Sequence, residues 1–419
     1  MAPVSGLAAV LNQRFGLEQY LIWSTILAAL LFVPFVPSMQ LGYVIALGNG
    51  AILLALNRLS IHRNHLIAIL ALAAFSLVGT QLSGISSTVI VAQILGITVM
   101  SVYFFSALTS FNLSVSRWME LYVYLALAVA IAGFILWAVS LALGVGDGRL
   151  MAIYSEPSFY VYVTLPAVGY CINRYVSERR YGAESLIFVA SYALADSSLG
   201  FLGLILIALF TFGPRLKGWQ MVAGATLLAV LVSGVYLASS NVRIRIDQMV
   251  RAGIRQDLVG VGASPFAILS NLYVTGQSFA AHPLTGVGIG GYSNVYDKYI
   301  GDINGLGLTY LLEIQLNKYD ANSMILRVTA ELGVPGLIAL FAFLLTCARV
   351  KGSPFLQIRN ALLPYLIVRV ARLGAYFTVE LFFFAGLYLL NYLNYRATLR
   401  PAQGRALAYP KSQTGAQPI

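Results

Sequence analysis

Residues 184–213 read ESLIFVASYALADSSLGFLGLILIALFTFG. As one helix this stretch crosses a membrane once. As two short helices turning at Asp196-Ser197-Ser198 it crosses twice, and every later segment changes sides. Aspartate and serine side chains can hydrogen-bond their own backbone, which suits a turn. The basic residues arbitrate, because lysine and arginine collect in cytoplasmic loops. With two helices, Arg58, Arg63, Arg117, Arg174, Arg179, Arg180, Arg215, Lys217, Arg349, Lys351 and the tail Arg396, Arg400, Arg405 and Lys411 all fall on one side. With one helix that bias collapses, so the sequence predicts two.

Composition places this choice in a membrane. Apolar residues make up 59% of 419 and charged residues 10%, with a mean hydropathy of +0.81, against about 25% charged residues in soluble domains. A span needs about 20 mostly apolar residues. About twelve are read this way, at 20–38, 41–57, 66–82, 86–110, 119–145, 157–174, 184–196, 198–213, 218–240, 322–346, 355–372 and 374–395. The expected fold is therefore all-α: a single polytopic helix bundle over 1–419, with a cytoplasmic tail at 397–419 and one large periplasmic loop at 241–321, between helices 9 and 10. The first apolar run begins near Tyr20 without a small-residue cleavage site and reads as an uncleaved span. The net charge of +11 is assigned to inside-facing loops, so nucleic acid is not an expected partner. Cys171 and Cys347 match no metal or redox spacing.

The predicted outer face carries the unusual content. Loop 241–321 is too long for a simple connector. It holds Phe266, Leu269, Leu272, Tyr273 and Phe279 among others, which predicts short helices lying on the bundle. Arginines at this face run against the orientation bias. Arg149, Arg251, Arg255, Arg369 and Arg372 are therefore grouped as a site for an anionic, lipid-linked ligand, since guanidinium groups fork onto phosphate oxygens. Arg369 and Arg372 lie three apart, so one helix face can present both. Glu156 precedes Pro157 and is expected to cap a helix. Asn322 and Ser323 are expected to cap the next span. Arg327 and Glu331 form an intramembrane pair, either fixing a helix or functional. Gly286 to Gly291 spells G-x-G-x-x-G, but without a preceding strand it reads as a turn and not as a nucleotide fingerprint. No G-x-S-x-G, no H-E-x-x-H and no carboxylate cage is present, so neither a metal nor another cofactor is expected.

Taken in order, these segments resemble the O-antigen polymerase and ligase superfamily of bacterial envelopes. The resemblance rests on the loop motif His282-Pro283-Leu284-Thr285-Gly286-Val287-Gly288-Ile289-Gly290. It continues in Asn322-Ser323 followed by Ala330 to Gly336, in Arg149 with Glu156-Pro157-Ser158, in the Ser197/Ser198 turn, and in Arg369 to Tyr376. It covers roughly 145–390. It implies a metal-independent glycosyltransferase of the inner membrane, working on undecaprenyl-pyrophosphate-linked oligosaccharide at the periplasmic side. A flippase and a chain-length regulator of the same pathway are the implied partners. It further implies that Arg251, Arg255, Arg369 and Arg372 hold pyrophosphate, and that Arg149, Glu156, Asn322 and Asp320 form the catalytic group, with Glu156 and Asp320 as candidate bases. Ligases of the family carry a histidine where this chain has Asn322, and an arginine shortly before the His-Pro segment, where Pro265 to Gln277 has none. Both departures favour the polymerase branch, as does Arg251 followed after ten residues by Gly262. The alternatives are a ligase moving finished polysaccharide to lipid A–core and, from another class, a lipid-linked sugar flippase. A flippase should carry ionisable groups through the middle of its spans, whereas most charges here lie at span ends.

Overall fold

A computed structural model describes residues 16–31, 34–36, 39–84, 89–145, 148–255, 262–302 and 315–399. The expected tail beyond Leu399, Arg400, Arg405 and Lys411 included, lies outside the described residues, as does the side chain of Arg255. Almost every described element is an α-helix. In chain order they are α1 (Leu17–Leu30), α2 (Leu41–Ala55), α3 (Arg63–Ser83), α4 (Ile90–Ser110), α5 (Val115–Ala142), α6 (Pro157–Glu178), α7 (Gly182–Ala195) and α8 (Ser198–Phe212). These are followed by α9 (Trp219–Ala238), α10 (Ser240–Arg255), α11 (Ala263–Ala281), α12 (Tyr292–Tyr299), α13 (Met324–Cys347), α14 (Phe355–Arg372) and α15 (Val379–Leu399). Among the described residues, five stretches are long and apolar enough to cross a membrane: α3, α4, α5, α13, and α8 with the turn that extends it to Arg215. They suggest a membrane protein.

The break at the Asp-Ser-Ser turn falls where the sequence placed it. Asp196 sits in the left-handed region at φ 42°, and Ser197 is extended before α8. The first expected span differs. The sequence predicts it over 20–38, but α1 stops at Leu30, and Pro34–Val36 pairs with Met39–Gln40 in a short antiparallel ribbon. Pro34 has no N–H to give Leu30 and its ring would clash with that carbonyl, so the helix cannot pass through it. Among the described residues, the long segment 241–321 holds three helices, and α11, at 19 residues, is no short one.

The centre of the bundle is the pair α6 and α14. A Cβ on Gly169 would lie 2.9 Å from Cα of Ala361, so the two backbones nearly touch. Small residues permit such close approach where helices pack in a membrane. Both helices carry buried polar groups, including Thr164, Asn173, Gln357, Asn360 and Arg369. Neither is among the five apolar helices. Their neighbours shield them, so their own sequences need not be lipid-like.

Candidate active site

The site is built on a break in α13. Gly333 has φ 60° and ψ −153°, and Pro335 follows within the same helix. Proline removes the N–H that would bond the carbonyl of Glu331, and the turn at Gly333 frees its neighbours. The glycine-rich loop after α11 supplies the missing partners. Val287 N–H donates to Ala330 O at 3.1 Å, Gly288 N–H to Glu331 O at 2.9 Å, and Val334 N–H to Pro283 O at 2.9 Å. A Cβ on Gly286 would overlap the Glu331 carbonyl, and one on Gly288 would overlap the Thr80 hydroxyl on α3. The motif His282, Pro283, Gly286, Gly288 and Gly290 therefore acts as a strap that satisfies a broken helix. None of these residues lines the cleft described below.

Below the break, Arg327 and Glu331 pair at 3.2 Å and are 3% and 0% exposed. The Arg327 guanidinium stacks 4.3 Å over Tyr376 and donates to Gly374 O, while Glu331 accepts from the Tyr292 N–H at 3.1 Å. Burial pushes the Tyr292 phenol above its ordinary range, so it remains a neutral donor to Asn271 Oδ1 at 2.7 Å. The ion pair thus joins α12, α13 and the link after α14.

Ahead of α13 the chain turns sharply through Ala321 and Asn322, both at positive φ (57° and 56°). Asp320 Oδ1 holds this turn, accepting from Asn322 N–H at 3.1 Å and Asn317 Nδ2 at 2.9 Å. The capping expected of Asn322 and Ser323 does not form. Asn322 lies outside the helix, and Ser323, at the N-cap, donates its hydroxyl across to Val370 O at 3.1 Å. A Cβ on Gly374 would overlap the Asp320 carbonyl, so this turn rests directly on the end of α14. Gly374→Ala should therefore push the Asp320 turn off α14 and lower the melting temperature of the purified protein by several degrees, about 2 kcal/mol of overpacking. An unchanged melting curve would show that the turn has room.

The opposite wall is the segment before α6. Leu150 N–H donates to Leu194 O, Trp137 Nε1 to Gly148 O, and the Tyr154 hydroxyl to Leu30 O. Burial holds the Tyr154 phenol far above its usual range, so it stays a donor. Glu156 sits at the N-cap of α6, yet its side chain caps nothing. It is exposed, and Oε2 accepts the Ser158 hydroxyl at 2.8 Å. Asp196 Oδ1 accepts from Ser239 Oγ at 2.8 Å, tying the α7–α8 turn to the start of α10.

Between these walls lies a cleft of about 510 Å³, within the range of about 300–1,000 Å³ typical of small-ligand sites. It is lined by Arg149, Glu156, Asp196, Asn322 and Arg372, with Ser197, Ser198, Ser264, Asn317 and the aromatic rings of Phe159 and Tyr162. Its walls come from helix termini, so it opens at one end of the bundle. Four of the residues selected from sequence meet here: Arg149, Glu156, Asn322 and Arg372. Asp320 supports the cleft from behind. Arg251 is exposed on α10 and does not line it.

Arg369 is a correction. It does not share the accessible face of Arg372. It is fully buried, lies 3.8 Å from Glu380, and donates to Leu373 O, Ala375 O and the Thr378 hydroxyl. The link from Leu373 to Thr378 folds over it, so it fixes that link and is unavailable to a ligand. Asp196 joins the cleft although the sequence marks it only as part of a turn. Among the described residues, no three His, Cys, Asp or Glu side chains are grouped to hold a metal.

Together, the fold and site define a helical protein of membrane character with a polar cleft bearing two guanidinium and two carboxylate groups at one end. In comparison with known proteins, no family model, no curated protein and no solved structure matches this chain.

Proposed function

We propose that the chain is a twelve-span inner-membrane polysaccharide polymerase whose cleft faces the periplasm. It moves a growing glycan from one undecaprenyl pyrophosphate to a lipid-linked repeat unit. The observation that carries this reading is the convergence of Arg149, Glu156, Asn322 and Arg372, from three separate stretches of chain, on one cleft. In this reading segment 241–321 is the periplasmic loop, and α11 forms part of the cleft wall.

The chemistry follows from charge. An acceptor hydroxyl oxygen forms a bond to the anomeric carbon of the donor sugar. The bond from that carbon to the pyrophosphate oxygen breaks, and its electron pair leaves with the pyrophosphate. Arg149 and Arg372 meet the negative charge that grows there, fixed in place before the reaction. The hydroxyl proton passes to a carboxylate, for which Glu156 and Asp196 are the cleft's candidates. Asn322 orients the acceptor, and Asp320 positions Asn322. Phe159 and Tyr162 give sugars flat apolar faces.

Asp320→Ala removes the acceptor for two hydrogen bonds without touching the cleft surface. It should cut polymer yield roughly tenfold, while Asp320→Asn, which retains an acceptor oxygen, should restore most of it. Equal loss in both variants would remove the positioning role.

The reading is tested in a deletion strain of the source bacterium by gel analysis of lipopolysaccharide and extracted lipid-linked sugars. Core bearing one repeat unit without a ladder is the polymerase outcome. Bare core, with full-length chains stranded on undecaprenyl pyrophosphate, would instead indicate a ligase.

A further inference from the structure

We infer that the end of the bundle opposite the cleft binds the phosphate headgroup of an anionic phospholipid, in a basic pocket centred on Arg349 and Arg359. Helix α14 spans both ends. Arg372 reaches the cleft and Arg359 the second site, about 20 Å apart at 1.5 Å per residue. One hollow is lined by Arg349, Lys351 and Arg359 with the start of α14. The adjoining hollow shares Arg349 and adds Arg396, Tyr392 and Tyr395 from the end of α15. Among the described residues, no carboxylate lines either hollow.

A half-buried guanidinium, that of Arg359, without a counter-charge sets this cluster apart. Nearby Arg174 pairs with Glu120 and Glu178, and Arg117 pairs with Glu120. Among the described residues, Arg349, Lys351, Arg359 and Arg396 form no ion pair. Arg359 is half-buried and donates only to neutral oxygens, Oδ1 of Asn360 and the carbonyl of Ala348. A partly desolvated cation without an anion is costly, and a phosphate would offset that cost. The occupant is a lipid because apolar surface continues from the pocket: Leu399, 57% exposed, lines it, and Leu345, 61% exposed, lies in the last turn of α13, four residues before Arg349. Acyl chains would lie along these residues, with the tyrosines at headgroup level. Basic pockets between membrane helices hold acidic headgroups in this way. The site is independent of the chemistry assigned to the cleft.

The test uses the purified full-length chain, delipidated in neutral detergent, with lipid retention measured by native mass spectrometry. Phosphatidylglycerol should bind saturably and phosphatidylcholine should not. Arg349→Gln with Lys351→Gln alters two exposed side chains, leaves packing intact, and should weaken retention roughly tenfold. Adding Arg359→Gln should weaken it further. Arg58→Gln with Arg63→Gln, which removes exposed charge elsewhere, should change nothing. Equal retention of both lipids, unchanged retention in the double variant, or an equal loss in the control would overturn the site. Binding of inorganic phosphate without any retained lipid would make it a soluble-phosphate site and overturn the lipid assignment.

Discussion

Arg372→Ala is expected to reduce polymer synthesis about 100-fold or more while leaving the melting temperature within a degree or two of wild type. Arg372 lines the cleft at the very end of α14, so removing it deletes charge from the site and little from the core. Loss of one preorganised group that meets developing negative charge costs about 10²–10³ in rate. Arg372→Lys should recover only part of the activity, because an ammonium cannot fork onto two oxygens. The comparison with Arg369 makes the expectation specific. Arg369→Ala removes a fully buried guanidinium that holds three acceptors and leaves Glu380 buried alone. It should fail by unfolding, with a lowered melting temperature and poor recovery from membranes. If Arg372→Ala also lost stability, or if Arg369→Ala lost activity at full stability, the assignment of these two residues would be reversed.

Glu331→Ala is expected to damage the scaffold severely. It strips Arg327 of the carboxylate it pairs with and the Tyr292 N–H of its acceptor, at positions that are 3% and 1% exposed. Removing one member of a buried pair costs about 3–5 kcal/mol, because a charge is left without compensation. Replacing both members by apolar residues of similar size, as in Arg327→Met with Glu331→Leu, should cost less than Glu331→Ala alone. Thermal unfolding of the three proteins in the same detergent measures this. A double variant no more stable than Glu331→Ala would show that the pair does more than neutralise itself, and would move it from scaffold to function.

The parts of this molecule that were legible in sequence depend on local signals. The turn at Asp196 was readable because sidedness of arginine and lysine constrains the helix count. Arg149, Glu156, Asn322 and Arg372 stood out as polar residues at the ends of apolar runs. The parts that were not legible depend on partners far away in the chain. His282 to Gly290 reads as a flexible turn until the carbonyls freed at Gly333 and Pro335 are placed beside it. Arg369 and Arg372 share a helix face by spacing alone, but the link after α14 folds over one and not the other. The hydroxyl of Ser323 reads as a cap, and Val370 on another helix takes it instead. Asp196 could be predicted to turn the chain, but not to line a cleft with residues from four other segments.

The central claim is tested most directly by reconstituting the purified chain into lipid nanodiscs with a synthetic undecaprenyl-pyrophosphate-linked repeat unit and resolving the products by size. The account predicts a ladder of lipid-linked oligomers, with release of undecaprenyl pyrophosphate in step with each added unit, both lost in Arg372→Ala. The contradicting result is a wild-type protein that never lengthens the glycan and, in sealed vesicles, carries the lipid-linked unit from one leaflet to the other.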